Sequence, residues 1–262
     1  MPEYLKSAQM KENRPSSPPA SLNLLIRAIT HPGLIHSINQ DRVHVVDWAS
    51  SDSMRNAHEV TASTDEVRVV LVADGMSNPA GGEVASHGAI EFLSRRLLRA
   101  DNKEAIAQAL VEVDRQIFDL MTDQTRGMGT TIAGLWIHGA TMYFFNVGDS
   151  RVYSFSSLGL YQLSRDDTVG GYLGLKKQSS TLVQVLGGSN PQLEITPHVG
   201  GKSLWLGESY LICSDGISDL IEDDEIWEAL IDYGVQAVDR LASLAIERGG
   251  HDNLTAVVVS VV

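Results

Sequence analysis

The spacing of apolar residues along this chain alternates between the period of a helix and the period of a strand. Apolar residues recur every three or four positions in two stretches of the first half and in two more near the C-terminus, which predicts four amphipathic helices. These helices are expected at residues 84–99, 103–122, 224–231 and 235–248. They therefore come as two pairs, separated by a long stretch without helical periodicity.

Runs rich in Val, Ile, Leu and aromatic residues predict strands in the remaining sequence. Residues 61–66 are polar and are expected to form a loop, whereas residues 137–140 supply a hairpin turn between two strands. The predicted strands cover residues 24–29, 42–46, 69–74, 130–137, 141–147, 151–155, 181–186, 193–195, 209–213 and 255–262. Most of these strands are short and linked through turns, as in antiparallel sheets.

Hairpin-linked strands interrupted by two pairs of helices are typical of an α+β fold, in which antiparallel sheets carry helices on their outer faces. Residues 1–21 are polar and contain Pro15, Pro18 and Pro19, a composition that predicts a flexible tail. No change in composition divides residues 22–262, so we expect them to form a single domain.

Charge and cysteine content narrow the classes of function. The chain has 262 residues and a formal charge of −13, which argues against a protein that grips a nucleic-acid backbone. It begins without the apolar run of a signal peptide, and no stretch reaches the roughly 20 apolar residues of a membrane span, so we expect a cytoplasmic protein without a membrane partner. The single cysteine, Cys213, lies in an apolar run and is expected to be a small buried hydrophobe.

Three strand-like runs meet an aspartate beside a glycine or an asparagine. These aspartates are Asp74, Asp215 and Asp252. Taken singly, each pair is a common turn. A buried carboxylate at the end of an apolar strand is costly unless a cation or hydrogen bonds compensate it. Convergence on bound metal explains all three together, and oxygen ligands favour Mg²⁺ or Mn²⁺ over zinc or copper.

Seven motifs, in order, extend this pattern and resemble the metal-dependent protein phosphatases of the protein phosphatase 2C type, in their compact bacterial form. Each motif alone is weak, but their shared order is specific. They are GLIHSINQD at 33–41, VADGM at 72–76 with GEVAS at 82–86, MGTT at 128–131, NVGDSRVY at 146–153, LSRDDT at 163–168, CSDG at 213–216 and GGHDN at 249–253.

The resemblance implies a four-layer α-β-β-α sandwich with two central antiparallel sheets flanked by helix pairs. It also implies two Mn²⁺ or Mg²⁺ ions and a third, weaker one. Asp74 would bridge the two ions, the carbonyl of Gly75 would bind the second, and Asp215 and Asp252 would complete the first. Asp149 would hold the third ion together with Asp215.

The implied activity is hydrolysis of phosphoserine and phosphothreonine in proteins, by a water activated between the two metals. Asp41 would orient metal-bound waters through hydrogen bonds. The partners would be a phosphorylated protein and the pathway of a bacterial Ser/Thr kinase that controls signalling or secretion. No further cofactor is implied, and we expect a monomer.

The sequence departs from the family at His36, where the family usually has an arginine that binds the substrate phosphate. Histidine cannot form the same bidentate contact and is only partly charged near neutral pH, so we expect weaker phosphate binding that improves as the pH falls. Alternatively, His36 points elsewhere and Arg27 or Arg42 supplies the charge. The family acid that protonates the leaving alcohol is replaced by Met76, as in bacterial relatives.

Other motif residues also have a purely structural interpretation. Gly148 and Asp149 would equally make a hairpin turn with an Arg–Asp contact. Thr130 and Thr131 are interpreted as core strand residues with little direct chemistry. The pair at 166–167 is expected to form a solvated turn.

Three rival functions remain open at this point. The chain could be a phosphatase dedicated to one regulator, such as an anti-anti-sigma factor. It could be a catalytically silent phosphoprotein-binding module on the same fold, although retention of the aspartates argues against that. A two-metal nuclease is disfavoured because the acidic surface would repel its substrate.

Overall fold

The computed structural model describes residues 20–50, 54, 56–76, 81–174, 181–188 and 192–262. The predicted tail at residues 1–21 lies almost wholly outside these residues. The strands are β1 (Asn23–His31), β2 (Asp41–Val45), β3 (Trp48–Ala49), β4 (His58–Ser63), β5 (Arg68–Met76), β6 (Gly129–Thr130), β7 (Ile132–His138), β8 (Thr141–Val147), β9 (Arg151–Ser156), β10 (Gly159–Gln162), β11 (Leu186–Gly187), β12 (His198–Ser203), β13 (Ser209–Cys213) and β14 (Leu254–Val261).

In the described residues, four longer helices and two single helical turns accompany the strands. The helices are α1 (Gly82–Leu97), α2 (Lys103–Asp119), α3 (Val169–Tyr172), α4 (Asp215–Ser218), α5 (Asp223–Tyr233) and α6 (Ala237–Glu247), with a 3₁₀ turn at Gly234–Gln236. Asn102 caps α2 by accepting a hydrogen bond from the backbone N–H of Ala105 at 2.8 Å. Glu222 and Glu225 form a reciprocal capping box at the start of α5.

The strands form two antiparallel sheets. The first has the order β10-β9-β13-β14-β1-β4, and the second has the order β11-β6-β5-β7-β8-β12, with β2 paired to β3 and β5. β7 is buried along almost its whole length because it lies between a helix layer and the other sheet, which explains its continuous apolar sequence.

Three hydrophobic cores separate four layers. Leu93 of α1 and Ile117 of α2 pack on the second sheet. Ile26 and Val70 belong to the core between the two sheets. Leu241 of α6 belongs to the core beneath the first sheet. The predicted α+β fold, a four-layer α-β-β-α sandwich, is therefore confirmed. That residues 22–262 form one independent domain stays a prediction.

Several predicted elements were wrong or missing. Residues 192–197 contain no strand, against the prediction at 193–195, and residues 181–186 contribute only an isolated bridge between Leu182 and Thr168 before β11. The predicted loop at 61–66 begins with the last residues of β4, an edge strand whose exposed face is polar. β10, β12 and the short α4 were not predicted.

Among the described residues, no helix combines the length and the apolar character needed to cross a bilayer.

Candidate metal centre

The predicted metal ligands lie where the two sheets end side by side. Asp41 begins β2 and is the register partner of Asp74 on β5, so both belong to the second sheet. Asp215 opens α4 directly after β13, and Asp252 precedes β14, so both belong to the first sheet. Asp149 lies in the turn between β8 and β9. The structure therefore draws acidic side chains from both halves of the sandwich to one end.

Asp41 is fully buried and joins the two sheets. Its Oδ2 accepts hydrogen bonds of 2.7 Å from Ser214 Oγ and from Thr255 Oγ1, both on the first-sheet side. Its Oδ1 has no hydrogen-bond partner in the described part of the chain. Burial raises the pKa of Asp41 to about 6, although the two hydroxyl donors favour the ionised form.

Asp74 and Asp215 also resist ionisation in the absence of a cation. The pKa of Asp74 lies well above its ordinary value because of burial and the negative charges of its aspartate neighbours, Asp41 first and Asp215 second. Burial and the charges of Asp149 and Asp252 raise the pKa of Asp215 in the same way. A bound cation would offset both the burial and the mutual repulsion of these carboxylates, and would thereby stabilise their ionised forms.

The donor set fits a hard divalent cation. Asp215 Oδ1 is a second buried carboxylate oxygen without a hydrogen-bond partner among the described residues. Within the described ranges, no three His, Cys, Asp or Glu side chains are placed so that they alone could hold a metal ion. An ion held here would therefore take several ligands from water and from backbone carbonyls, as Mg²⁺ and Mn²⁺ commonly do.

Thr130 and Thr131 hold the backbone of Asp74. The Asp74 carbonyl accepts hydrogen bonds from Thr131 N at 2.8 Å and from Thr130 Oγ1 at 2.9 Å. Asp74 N donates to Thr131 Oγ1 at 3.2 Å. Both threonines are buried, as expected, but their hydroxyls do more than fill the core. They fix the peptide that carries the central carboxylate.

Asn253 is a site residue for which the sequence suggested no role. Its Oδ1 accepts a hydrogen bond from Gln40 N at 2.7 Å, and its Nδ2 donates to the carbonyls of Pro32 and Ile38 at 2.9 and 3.1 Å. It thereby fastens the loop that precedes Asp41 to the segment that carries Asp252. Only its place beside Asp252 in the motif could have drawn attention to it.

His36 lies at the edge of the cluster. Its Nε2 is 3.6 Å from Asp252 Oδ1, and both side chains are about half exposed, at 51% and 56%. The two alternatives for the phosphate-binding charge are engaged elsewhere. Arg27 binds Asp239 and Glu59, while Nη1 of the buried Arg42 donates to the backbone carbonyls of Asn39 and Asp41. His36 is the most exposed of the three, and its imidazole lies near a predicted ligand.

The structural interpretation of Asp149 as the partner of an arginine is not supported. Arg151 forms a bidentate contact with Asp166 instead, with Nη2 to Oδ2 at 2.7 Å and Nε to Oδ1 at 3.1 Å. Burial and then the charge of Asp166 raise the pKa of Asp149 to about 7. A bound cation would therefore stabilise the ionised form of Asp149.

The expectation of a solvated turn at residues 166–167 was wrong. Asp166 is paired with Arg151, and Asp167 is fully buried. Cys213 behaves as expected: it is buried, and burial raises the pKa of its thiol to about 12, so it stays protonated at neutral pH.

In excess chelator, we expect the free energy of unfolding to fall as the pH rises from about 4 to about 7. The folded chain retains protons on Asp41 and Asp149, whose pKa values are raised to about 6 and about 7, whereas the unfolded chain has already released them. This stabilisation is complete below the unfolded pKa and is lost as the pH passes the folded one. Urea unfolding at a series of pH values measures the effect.

Saturating Mn²⁺ should flatten this pH dependence, because the cation replaces the protons. Stability that rises with pH over the same interval in chelator would contradict the clustering of these carboxyls.

Comparisons with known proteins point in one direction. The family profile described as protein phosphatase 2C matches residues 40–245. Serine/threonine protein phosphatase PstP of Mycobacterium tuberculosis is 32% identical over 222 residues, which cover 74% of this chain and 40% of PstP. The chain thus spans about two fifths of the length of that relative. Serine/threonine phosphatase Stp of Listeria monocytogenes is 28% identical, over 76% of this chain and 87% of Stp.

Solved structures match the fold. The crystal structure of the catalytic domain of PstP in complex with two manganese ions superposes with a TM-score of 0.71 at 29% identity, over 92% of this chain and 99% of that one. The serine/threonine phosphatase of S. agalactiae gives a TM-score of 0.76 at 24% identity, over 91% and 100% of the two chains, and supports the fold alone.

Proposed function

Because this chain belongs to the protein phosphatase 2C family, we propose that it is a metal-dependent serine/threonine phosphoprotein phosphatase that uses Mn²⁺ or Mg²⁺. The observation that carries the proposal is the cluster of five aspartates drawn from both sheets, in which two buried carboxylate oxygens have no hydrogen-bond partner among the described residues. The aspartates are Asp41, Asp74, Asp149, Asp215 and Asp252.

Each residue takes a role that its position supports. Asp74, at the centre of the mutual repulsion, would bridge two ions, with the carbonyl of Gly75 on the second. Asp215 and Asp252 would complete the first ion from the opposite sheet. Asp149 would hold the third, weaker ion. When bound, the ions supply an acidified water and neutralise charge on the phosphoryl group.

Asp41 would act on water. Its Oδ2 is occupied by Ser214 and Thr255, so the carboxylate cannot rotate freely, and Oδ1 remains to accept a hydrogen bond from water at the site. This fixed acceptor would orient the attacking water relative to the phosphorus. The half-exposed His36 and Asp252 form the rim at which a phosphorylated side chain would enter.

The natural partner would be a protein phosphorylated by a Ser/Thr kinase pathway. Its location would be the cytoplasm, where a buried cysteine without a disulfide, such as Cys213, is common. A phosphatase dedicated to one regulator differs from this only in breadth. A silent phosphoprotein-binding module would bind phosphopeptide without turnover. Activity on several unrelated phosphopeptides separates the first reading from the other two.

The direct test is turnover of a phosphothreonine peptide by the full chain with Mn²⁺, with chelator, and after Asp215→Asn. We expect turnover only in the first case. Asp119→Asn is the matched control, because Asp119 is an exposed aspartate at the end of α2, on the helix layer outside the second sheet. Equal turnover in chelator would overturn the metal-dependent mechanism.

Replacing His36 with arginine is expected to lower KM for the phosphopeptide about tenfold, a gain of about 1.4 kcal/mol in binding, with kcat little changed. The reason is that a guanidinium at the rim can bind two phosphate oxygens, whereas imidazole binds one. Steady-state kinetics measures both constants. His87→Arg on α1 is the control, since His87 is also exposed but pairs with Glu91. An unchanged KM would remove His36 from the phosphate site.

A further inference from the structure

Asp167 is a buried carboxylate outside the proposed ligand set, and it gathers side-chain and backbone donors from four separate segments. Its Oδ2 accepts hydrogen bonds from Gly148 N at 2.9 Å and from Gln184 Nε2 at 2.7 Å. Its Oδ1 accepts from the Tyr172 hydroxyl at 3.2 Å and lies 2.8 Å from His198 Nε2. The side chain has no solvent exposure.

One side of this network holds the turn that carries Asp149. Asp167 forms two hydrogen bonds with Gly148, the residue before Asp149. The Gly148 N–H donates to the Asp167 carboxylate, and the Gly148 carbonyl accepts from Asp167 N at 3.0 Å. Asn146 Nδ2 donates to the same carbonyl at 3.0 Å. Gly148 has a φ of +96°, and a Cβ there would lie 2.7 Å from the side chain of Thr131. The direction of the Asp149 backbone therefore depends on Asp167.

The other side of the network holds two chain segments, residues 168–174 and 181–188, which we call the two arms. Tyr172 belongs to the first arm and Gln184 to the second. The Asp167 carbonyl accepts from Val183 N at 2.8 Å, and Val169 N donates to the carbonyl of Thr181 at 3.0 Å, which joins the arms to each other. Both arms are thus tied to the same carboxylate as the Asp149 turn.

The arms also border the candidate site. Tyr172, Val183 and Val185 line a cleft of about 570 Å³ together with Met76, the residue that follows Gly75. The arms therefore contact the edge of the candidate site on one side and, through Asp167, the Asp149 turn on the other.

We propose that Asp167 is a positioning residue that couples the two arms to Asp149, so that occupancy of the metal position at Asp149 and ordering of the arms reinforce each other. The inference rests on the proposed function, because Asp149, to which it links Asp167, is one of the metal ligands of that proposal. Coupling of this kind is reciprocal: if ordered arms favour the ion, the ion must order the arms.

Hydrogen exchange of the full chain tests this reciprocity. Mn²⁺ is expected to slow amide exchange in the two arms about fivefold to a hundredfold in the unmodified chain. The effect should disappear in Asp149→Asn and in Asp167→Ala. Calorimetric titration of the same proteins with Mn²⁺ counts the bound ions, which should be fewer or weaker in both variants while binding through Asp74 and Asp215 persists.

Asp114→Ala is the matched control. Asp114 is also a buried aspartate, and it also holds an arm, because its Oδ1 accepts from Gly187 N at 2.8 Å. It makes its link from α2 and not through the Asp149 turn. We expect faster exchange near Gly187 in both metal states, with the Mn²⁺-dependent difference in the arms retained.

A second variant keeps the test sharp if Asp167→Ala unfolds. The pair Tyr172→Phe and Gln184→Leu removes the side-chain hydrogen bonds from the arms to the Asp167 carboxylate and leaves the contacts of Asp167 with Gly148 intact. We expect Mn²⁺ to bind this variant without protecting the arms. Equal protection in this variant and in the unmodified chain would overturn the coupling. Mn²⁺ binding without any protection of the unmodified chain would also overturn it, whereas failure to bind Mn²⁺ at all would overturn the proposed function and the coupling together.

Discussion

Asp74→Asn is expected to lower phosphopeptide turnover by about a thousandfold or more and, in chelator, to stabilise the same protein. Asp74 lies at the centre of the aspartate cluster, and its pKa is raised by burial and by four aspartate charges around it. An amide of the same shape cannot bridge two cations. It also removes one of the charges that repel one another when the cations are absent.

Stabilisation on the order of 1 kcal/mol would raise the melting temperature of a chain of this size by about 2–4 °C. The measurement is therefore a pair: steady-state turnover with Mn²⁺, and thermal unfolding in chelator at neutral pH. The unmodified chain should overtake the variant in stability once Mn²⁺ is added, because ligand that binds only the folded state stabilises it. Asp119→Asn should change neither quantity.

A variant that keeps its turnover would exclude Asp74 as a metal ligand. A variant that loses turnover and melts lower in chelator would indicate a merely structural carboxylate, held by partners rather than by repulsion.

Gly82→Ala is expected to destabilise the protein through a single added methyl group. Gly82 begins α1 and lies directly against the backbone of Gly75, so that a Cβ on Gly82 would be 2.8 Å from the Gly75 carbonyl carbon and oxygen. Backbone atoms of a central strand cannot move aside cheaply. We expect a loss of about 1–3 kcal/mol in the free energy of unfolding, measured in urea. We also expect weaker Mn²⁺ activation, because the displaced carbonyl is a proposed ligand.

Gly88→Ala is the control within the same helix. Its Cβ would meet Ile117 Cδ1 at 3.0 Å, the free end of a flexible side chain. Replacing glycine in the interior of a helix gains up to about 1 kcal/mol, which favours Gly88→Ala. We therefore expect Gly88→Ala to be neutral or stabilising. Equal stability of the two variants would show that α1 does not need its close approach to Gly75.

The residues that could be predicted from sequence are those whose signal is local. The Asp-Gly pairs after apolar strands identified Asp74 and Asp215, and the helical period identified α1 and α2. The metal ligands themselves stay predictions, although the structure gathers them. The hydroxyls that fix Asp41 could not be predicted, since Ser214 and Thr255 lie 173 and 214 residues away in sequence.

The missed strand β12 has a specific physical cause. Its Gly200 and Gly201 suggest a turn, yet a Cβ at either position would collide with the aromatic ring of Phe144 or Tyr143 on β8. The glycines are therefore strand residues whose missing side chains leave room for an aromatic ring of the neighbouring strand. Likewise, Asp167 resembled a surface turn because its four partners come from segments that sequence proximity does not reveal.

The hydrogen bonds from Ser214 and Thr255 to Asp41 span the boundary between the two sheets. Neither sheet alone contributes a complete set of the proposed ligands. A partly unfolded molecule with its sheets separated would therefore bind metal poorly and lack the proposed activity. Loading with metal would, in turn, fasten the halves together and slow their separation. The proposed activity would thus require the fully folded chain, and the concentration of free cation would affect the lifetime of the folded state.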